Sequence, residues 1–225
     1  MPQTLFAIAA SPELVARTAN VVSLDLSGPP DALRPLVLEL AGLYLESTVD
    51  GLVLVFIRSD TSAFTTSLLR NLATVVKTAA RAVIGQAFGS TTSDELRALA
   101  KFLGERVQTV TLDGKPQGAI VFPLAEPFVS KARKAVAAAH AGRALEERAL
   151  FIDVMTQVVV ENVRVHYETP FSLVKLGFLK KKAIDVGKTA IATGGQTTVK
   201  KSLGVADNAE LQGIARFLER SVVDV

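Results

Sequence analysis

The tripeptide Gly187-Lys188-Thr189 matches the end of a phosphate-binding loop, which makes it the first candidate for chemistry in this sequence. Such a loop needs a glycine five residues before the second one, so that backbone N–H groups can surround the phosphates. That position is Lys182, and the preceding Gly-Phe-Leu-Lys-Lys-Lys stretch does not have the pattern of a buried strand. The motif therefore does not predict a nucleotide site.

Other catalytic and metal-binding patterns are also missing from the sequence. The chain has no cysteine and only two histidines, His140 and His166, which excludes thiolate chemistry, Cys-based zinc sites and His-rich metal sites. Neither a Gly-x-Ser-x-Gly elbow nor a GxGxxG fingerprint occurs. We therefore predict no metal and no cofactor. No catalytic residue is identified, and the sequence leaves open whether the protein is an enzyme.

The strongest charge feature is a run of lysines in the last third of the chain. Residues 169–202 contain seven lysines and a single acidic residue, Asp185. Apolar residues recur every three or four positions across residues 170–192, which predicts an amphipathic helix with a basic face. Two interpretations stay open: a solvated outer face, or a surface that binds an acidic partner or anionic lipid. The candidate surface residues are Phe171, Lys175, Phe178, Lys180, Lys181, Lys182 and Lys188.

A second candidate site lies in the polar loops of the first half. The segments 27–31, 58–62 and 89–94 each follow a predicted strand and precede a predicted helix. In a parallel sheet such loops meet at one edge, where helix N-termini favour an anion. The same residue types also occur in loops simply as caps and turn formers. The candidate anion-binding residues are Arg58, Ser59, Asp60, Thr61, Ser90 and Thr91.

The elements that would position these loops alternate along residues 1–125. Strand patterns over 19–28, 52–57 and 81–88 are separated by helical patterns, and Thr92 and Glu95 form a capping box. Two further strands meet at Asp113-Gly114, a turn-forming pair. The alternation predicts an α/β domain over 1–125, with a mostly parallel sheet and flanking helices.

The rest of the chain, residues 126–225, has helical patterns and is predicted to form a helical region that contains the basic helix 170–192. Thr169-Pro170 is typical of a helix start, and Thr193-Gly194-Gly195 of a helix end. Residues 89–110 and 204–225 align without gaps and share 8 of 22 residues. Two capped helices of one design, or duplication of a half-chain, would each explain that likeness.

These patterns favour a non-enzymatic binding or scaffolding protein over an enzyme. We expect the basic helical region to bind a protein partner, a further copy of the chain or an anionic membrane surface. Nucleic acid is disfavoured, because residues 165–215 contain no arginine to read bases. Charged residues interrupt every long apolar run, which predicts no transmembrane helix. The lack of cysteine fits a reducing compartment, so we expect a cytoplasmic protein, with peripheral membrane contact as one option. The alternative is an enzyme or sensor that binds a small anion at the first-half loops.

Overall fold

The computed structural model describes residues 3–23, 28–53 and 91–225, together with 70, 73–74, 77–78, 81, 84–85 and 87–88. In chain order its elements are β1 (Thr4–Ala9), α1 (Pro12–Ser23), α2 (Pro30–Val53), α3 (Ser93–Arg106), β2 (Val107–Leu112), β3 (Lys115–Pro123), α4 (Glu126–His140), α5 (Arg148–Val163), a π-helical turn (Arg164–Glu168), α6 (Thr169–Ser172), α7 (Phe178–Gly204), α8 (Asn208–Ser221) and β4 (Val222–Asp224). The described residues between 70 and 88 are also helical.

The strands form one antiparallel sheet in the order β2-β3-β1-β4. β1 lies at the centre and pairs with β3 on one side and with β4 on the other, both antiparallel. The predicted mostly parallel sheet in an N-terminal α/β domain is therefore wrong. Consecutive strands β2 and β3 form a hairpin, whereas β1 meets its partners from more than 100 residues away along the chain.

Three of the predicted first-half strands are not strands where the structure describes them. Residues 19–23 end α1 and residues 52–53 end α2, while the described residues of 81–88 are helical. Apolar and β-branched residues at the end of a buried helix produce the same short runs as a strand, and periodicity cannot separate the two. The remainder of these segments, including 24–27 and 54–57, lies outside the described residues.

Local signals with a defined geometry predicted their elements correctly. α3 begins after Thr92, whose hydroxyl accepts from the Glu95 N–H while the Glu95 carboxylate accepts from the Thr92 N–H, so the predicted capping box is confirmed. The predicted turn at Asp113-Gly114 is also confirmed, with both residues at positive φ (51° and 73°). These motifs depend on a few neighbouring residues and need no tertiary contact.

The second half is helical up to β4, with boundaries that differ from the predicted ones. The helix predicted from Thr169 ends at Ser172, and a new helix, α7, starts at Phe178 after Gly177. α7 also continues through the predicted stop at Gly194-Gly195 as far as Gly204. A β-carbon on Gly195 would lie 2.8 Å from Cγ1 of Val159 in α5, so this glycine permits close helix packing.

One apolar cluster joins the two halves of the chain. It contains Phe6 and Ile8 of β1, Ile120 and Phe122 of β3, and helical residues such as Leu40 and Phe151. A smaller cluster of buried residues lies around Leu5 and Val121, which alternate with the first set along the strands. The helices described here therefore pack around the sheet with a shared core.

Two glycines of α2 give a matched test of this packing. A β-carbon on Gly42 would meet no atom within 4 Å, so Gly42→Ala should raise the free energy of unfolding by up to about 1 kcal/mol through helix propensity. A β-carbon on Gly51 would overlap Cγ2 of the buried Ile8, so Gly51→Ala should instead lower it by about 1–3 kcal/mol. Urea denaturation of both variants measures the difference, and equal effects would contradict the contact between α2 and β1.

Candidate functional site

The predicted anion site at the first-half loops loses its geometric basis in this fold. It requires parallel strands whose carboxyl ends share an edge, and the four described strands pair only antiparallel. Arg58, Ser59, Asp60, Thr61 and Ser90 lie outside the described residues. Thr91 is buried, and its hydroxyl donates to the Phe88 carbonyl at 2.7 Å, while its own carbonyl accepts from Arg34 Nη2 at 3.1 Å. The contacts of Thr91 are thus internal.

The lysine-rich segment forms the exposed start of α7. Phe178 is the first residue of this helix, and its side chain is 80% exposed. Lys182 and Val186 follow at intervals of four residues, so the three side chains lie on one helical face. Lys175, Lys180, Lys181 and Lys182 are all exposed, and Val186 is 63% exposed. We call Lys175, Phe178, Lys181, Lys182 and Val186 the lysine–phenylalanine patch.

A carboxylate of α3 holds the backbone just before α7. Glu95 Oε1 accepts from the Lys175 N–H at 2.6 Å, and Oε2 accepts from the Thr92 N–H at 2.7 Å. The pKa of Glu95 is lowered, first by the hydrogen bond from Thr92 and then by that from Lys175. The capping residue of α3 therefore also fixes the segment that presents the patch.

Two residues predicted for this surface have other contacts. Phe171 is buried and stacks on Phe88, with ring centroids 5.4 Å apart and planes within 7°. Lys188 is partly buried, and its Nζ pairs with Glu168 Oε1 at 3.0 Å. We therefore leave both residues out of the patch.

The opposite face of α7 explains the glycine of the Gly-Lys-Thr motif. Tyr167 donates its hydroxyl to the Ile184 carbonyl at 3.2 Å, and a β-carbon on Gly187 would lie 2.5 Å from that hydroxyl oxygen. Gly187 thus gives Tyr167 access to the helix backbone. The motif lies inside α7 and not in a loop that follows a strand, and its glycine serves helix packing.

A separate polar pair lies beside a small cavity between α2, α3 and the π-helical turn. The Tyr44 hydroxyl and His166 Nδ1 are 2.7 Å apart and share a hydrogen bond. The cavity has a volume of about 40 Å³, enough for a water molecule but far below the size of a typical ligand pocket. Its lining includes Tyr44, Phe88, Leu103, His166, Tyr167 and Phe171.

The electrostatics of this pair argue against acid–base catalysis. Burial, and to a smaller extent the charge of the Arg106 guanidinium, lowers the pKa of His166 to about 3. Burial also raises the pKa of Tyr44, so both groups are neutral near pH 7. A catalytic base works best with a pKa near the working pH, which His166 does not have. Among the described residues, His166 Nε2 is buried without a hydrogen-bond partner.

Sequence patterns could not have found this pair, because its members are 122 residues apart. In the described part of the chain, no group of three or more His, Asp or Glu side chains could hold a metal ion. None of the helices described is both long enough and apolar enough to cross a bilayer. Comparison of the chain with protein-family models, with curated proteins and with solved structures finds no match.

Proposed function

We propose that the protein binds anionic membrane surfaces peripherally through the lysine–phenylalanine patch. The observation that carries this proposal is the 80% exposure of Phe178 at the start of α7, among exposed lysines. An aromatic ring left in water on a helix rich in lysine is typical of helices that lie at a membrane interface. Insertion of the ring would remove it from water, while the lysines would stay at the level of the phosphates.

The expected strength fits reversible attachment. Each lysine near an anionic leaflet contributes about 1 kcal/mol, and burial of a phenylalanine side chain contributes roughly 2 kcal/mol. Three lysines and Phe178 would together supply about 5 kcal/mol, close to the marginal binding that a single myristoyl chain provides. The patch would therefore give binding that depends on salt and on lipid charge rather than permanent anchoring.

The composition of the patch favours a membrane over an acidic protein partner. Protein–protein interfaces are depleted in lysine and enriched in arginine, and residues 165–215 contain no arginine. An interface helix at a membrane is rich in lysine on its polar face and bears Phe, Trp or Leu on the other. The exposed side chains from Lys175 to Val186 match the second description.

Co-sedimentation with vesicles tests the proposal. The protein should bind vesicles that contain phosphatidylserine and not those of phosphatidylcholine alone. Lys181→Glu with Lys182→Glu should weaken binding at least about 30-fold, since about 2 kcal/mol of attraction is lost. Lys180 is left unchanged because it already takes part in an interaction within the protein. Phe178→Ser should weaken binding to a similar degree by removing the apolar contact.

A matched control separates the patch from net charge. Lys200→Glu with Lys201→Glu makes the same charge change on exposed residues of the same helix, about 27 Å away along its axis. This control should bind almost as well as the wild type. Equal loss in both double variants would mean that binding is non-specific, and that would contradict the patch. Binding to polyglutamate without binding to vesicles would overturn the membrane proposal in favour of an acidic protein partner.

A further inference from the structure

The helices α3 and α8 are equivalent residue by residue. Both have 14 residues, both begin with a capping box, and both lead directly into a strand. Their buried apolar positions coincide at a separation of 115 residues, and four of the five pairs are identical in sequence. The pairs are Leu96 with Leu211, Leu99 with Ile214, Ala100 with Ala215, Phe102 with Phe217 and Leu103 with Leu218.

The sheet has the same equivalence. Exchange of β1 with β3 and of β2 with β4 maps the strand order β2-β3-β1-β4 onto itself. The registers agree as well: Phe6 faces Val222, and their equivalents at separations of 114 and 115 residues, Ile120 and Val107, also face each other. The strands are therefore related by an approximate two-fold axis between β1 and β3.

Side-chain contacts that no helix design requires are repeated too. Arg17 pairs with Glu39, and 114 residues later Lys131 pairs with Asp153 at 2.8 Å. In each case the cation belongs to the first helix of its half and the carboxylate to the second. Two capped helices of similar design would not produce an ion pair between two other helices, so the equivalence extends beyond α3 and α8.

A second repeated contact joins the second helix of each half to the segment before its last helix. Arg34 Nη2 donates to the Thr91 carbonyl at 3.1 Å, and Arg148 Nη2 donates to the Ala206 carbonyl at 2.8 Å. The separations are 114 residues for the arginines and 115 for the carbonyls. One residue inserted in the second half, between Arg148 and Ala206, accounts for the change in separation from 114 to 115 residues.

We infer that the chain consists of two homologous halves, residues 3–112 and 115–225, arranged as a dimer within one polypeptide. The described strands of each half pair only with strands of the other half. Each half therefore serves as the binding partner of the other, and the Asp113-Gly114 turn links them. The inference does not depend on the proposed membrane binding.

The repeat predicts how the chain can be reconnected. Gln3 and Val225 exchange two backbone hydrogen bonds, at 3.1 and 3.0 Å, and their equivalents are the paired residues Gln117 and Val110. Val225 is equivalent to Val110, and Met1 is equivalent to Lys115 at a separation of 114 residues. Four residues, equivalent to 111–114, are therefore needed to join Val225 to Met1. A circular permutant with Thr-Leu-Asp-Gly in this place, opened between Asp113 and Gly114, should unfold cooperatively with a Tm within about 5 °C of the wild type.

Linker length and helix exchange make the test specific. A three-residue linker, Thr-Asp-Gly, breaks the two-residue turn and should lower Tm by about 10 °C or more relative to the four-residue linker. Reciprocal exchange of residues 93–105 with 208–220 should keep cooperative unfolding, whereas exchange of 93–105 with 126–138 of α4 should abolish it. The inference is overturned if the four-residue linker is no better than the three-residue one, or if the equivalent helices tolerate exchange no better than the unequal pair.

Discussion

Acidification from pH 7 to pH 5 should lower the free energy of unfolding by about 2 kcal/mol through His166 alone. Its pKa is about 3 in the folded protein, against about 6.5 in the unfolded chain, so the unfolded state binds more protons between these values. The stabilising contribution is complete above pH 6.5 and is lost as the pH falls towards 3. Urea denaturation at a series of pH values between 7 and 5 measures the slope.

The two histidines of the chain provide the control for this prediction. His166→Gln should remove the slope between pH 7 and 5, at a cost in stability at pH 7 because the hydrogen bond with Tyr44 is altered. His140 lies at the surface, 3.5 Å from Glu219, and His140→Gln should leave the slope almost unchanged. A wild-type stability that is flat between pH 7 and 5 would contradict a buried, neutral His166.

The repeat gives an internal comparison for the Tyr44–His166 pair. At a separation of 114 residues, the equivalent of Tyr44 is Val158. The neighbouring polar position is kept in both halves: Thr48 donates to the Tyr44 carbonyl, and its equivalent Asn162 donates to the Val158 carbonyl, each at 2.8 Å. An apolar side chain therefore occupies the position of Tyr44 in the other half, so the fold does not require a hydroxyl group there.

The sequence predicted those parts of the fold that short segments determine. The Thr92–Glu95 capping box and the Asp113-Gly114 hairpin each depend on residues that are neighbours in the chain. Sheet topology depends instead on contacts such as Phe6 with Phe122, which no local pattern contains. The predicted parallel sheet is wrong because the described strands pair antiparallel, and the described parts of the predicted strands at the ends of α1 and α2 are helical.

The candidate surface was predictable for its charges but not for its aromatic residues. Lysine side chains are rarely fully buried, so a cluster of them predicts a surface, and Lys175 and Lys180–Lys182 are exposed. Phe171 and Phe178 look alike in the sequence, yet one stacks on Phe88 in the core and the other is exposed in water. The break between α6 and α7 separates them, and the hydrogen bond from the Lys175 N–H to Glu95, which lies 80 residues away, stabilises it.

Phe6→Ala should be among the most destabilising single substitutions in the described part of the chain. The Phe6 ring is fully buried in the central strand, 5.2 Å from the Phe122 ring and 5.9 Å from the Phe217 ring. Truncation of such a phenylalanine leaves a cavity and costs about 3–5 kcal/mol, a large part of the 5–15 kcal/mol that stabilises a typical domain. Chemical denaturation of the variant measures this loss.

The same experiment tests the place of residues 4–9 at the centre of the sheet. The sequence patterns predict no strand at these residues, and truncation of a phenylalanine outside the core would change stability by less than about 0.5 kcal/mol. Val205, which is 84% exposed, supplies the matched control, because Val205→Ala removes an apolar side chain from the surface. A loss in Phe6→Ala no larger than in Val205→Ala would remove β1 from the centre of the sheet. That result would also contradict the two-fold relation between the halves, because the axis passes between β1 and β3.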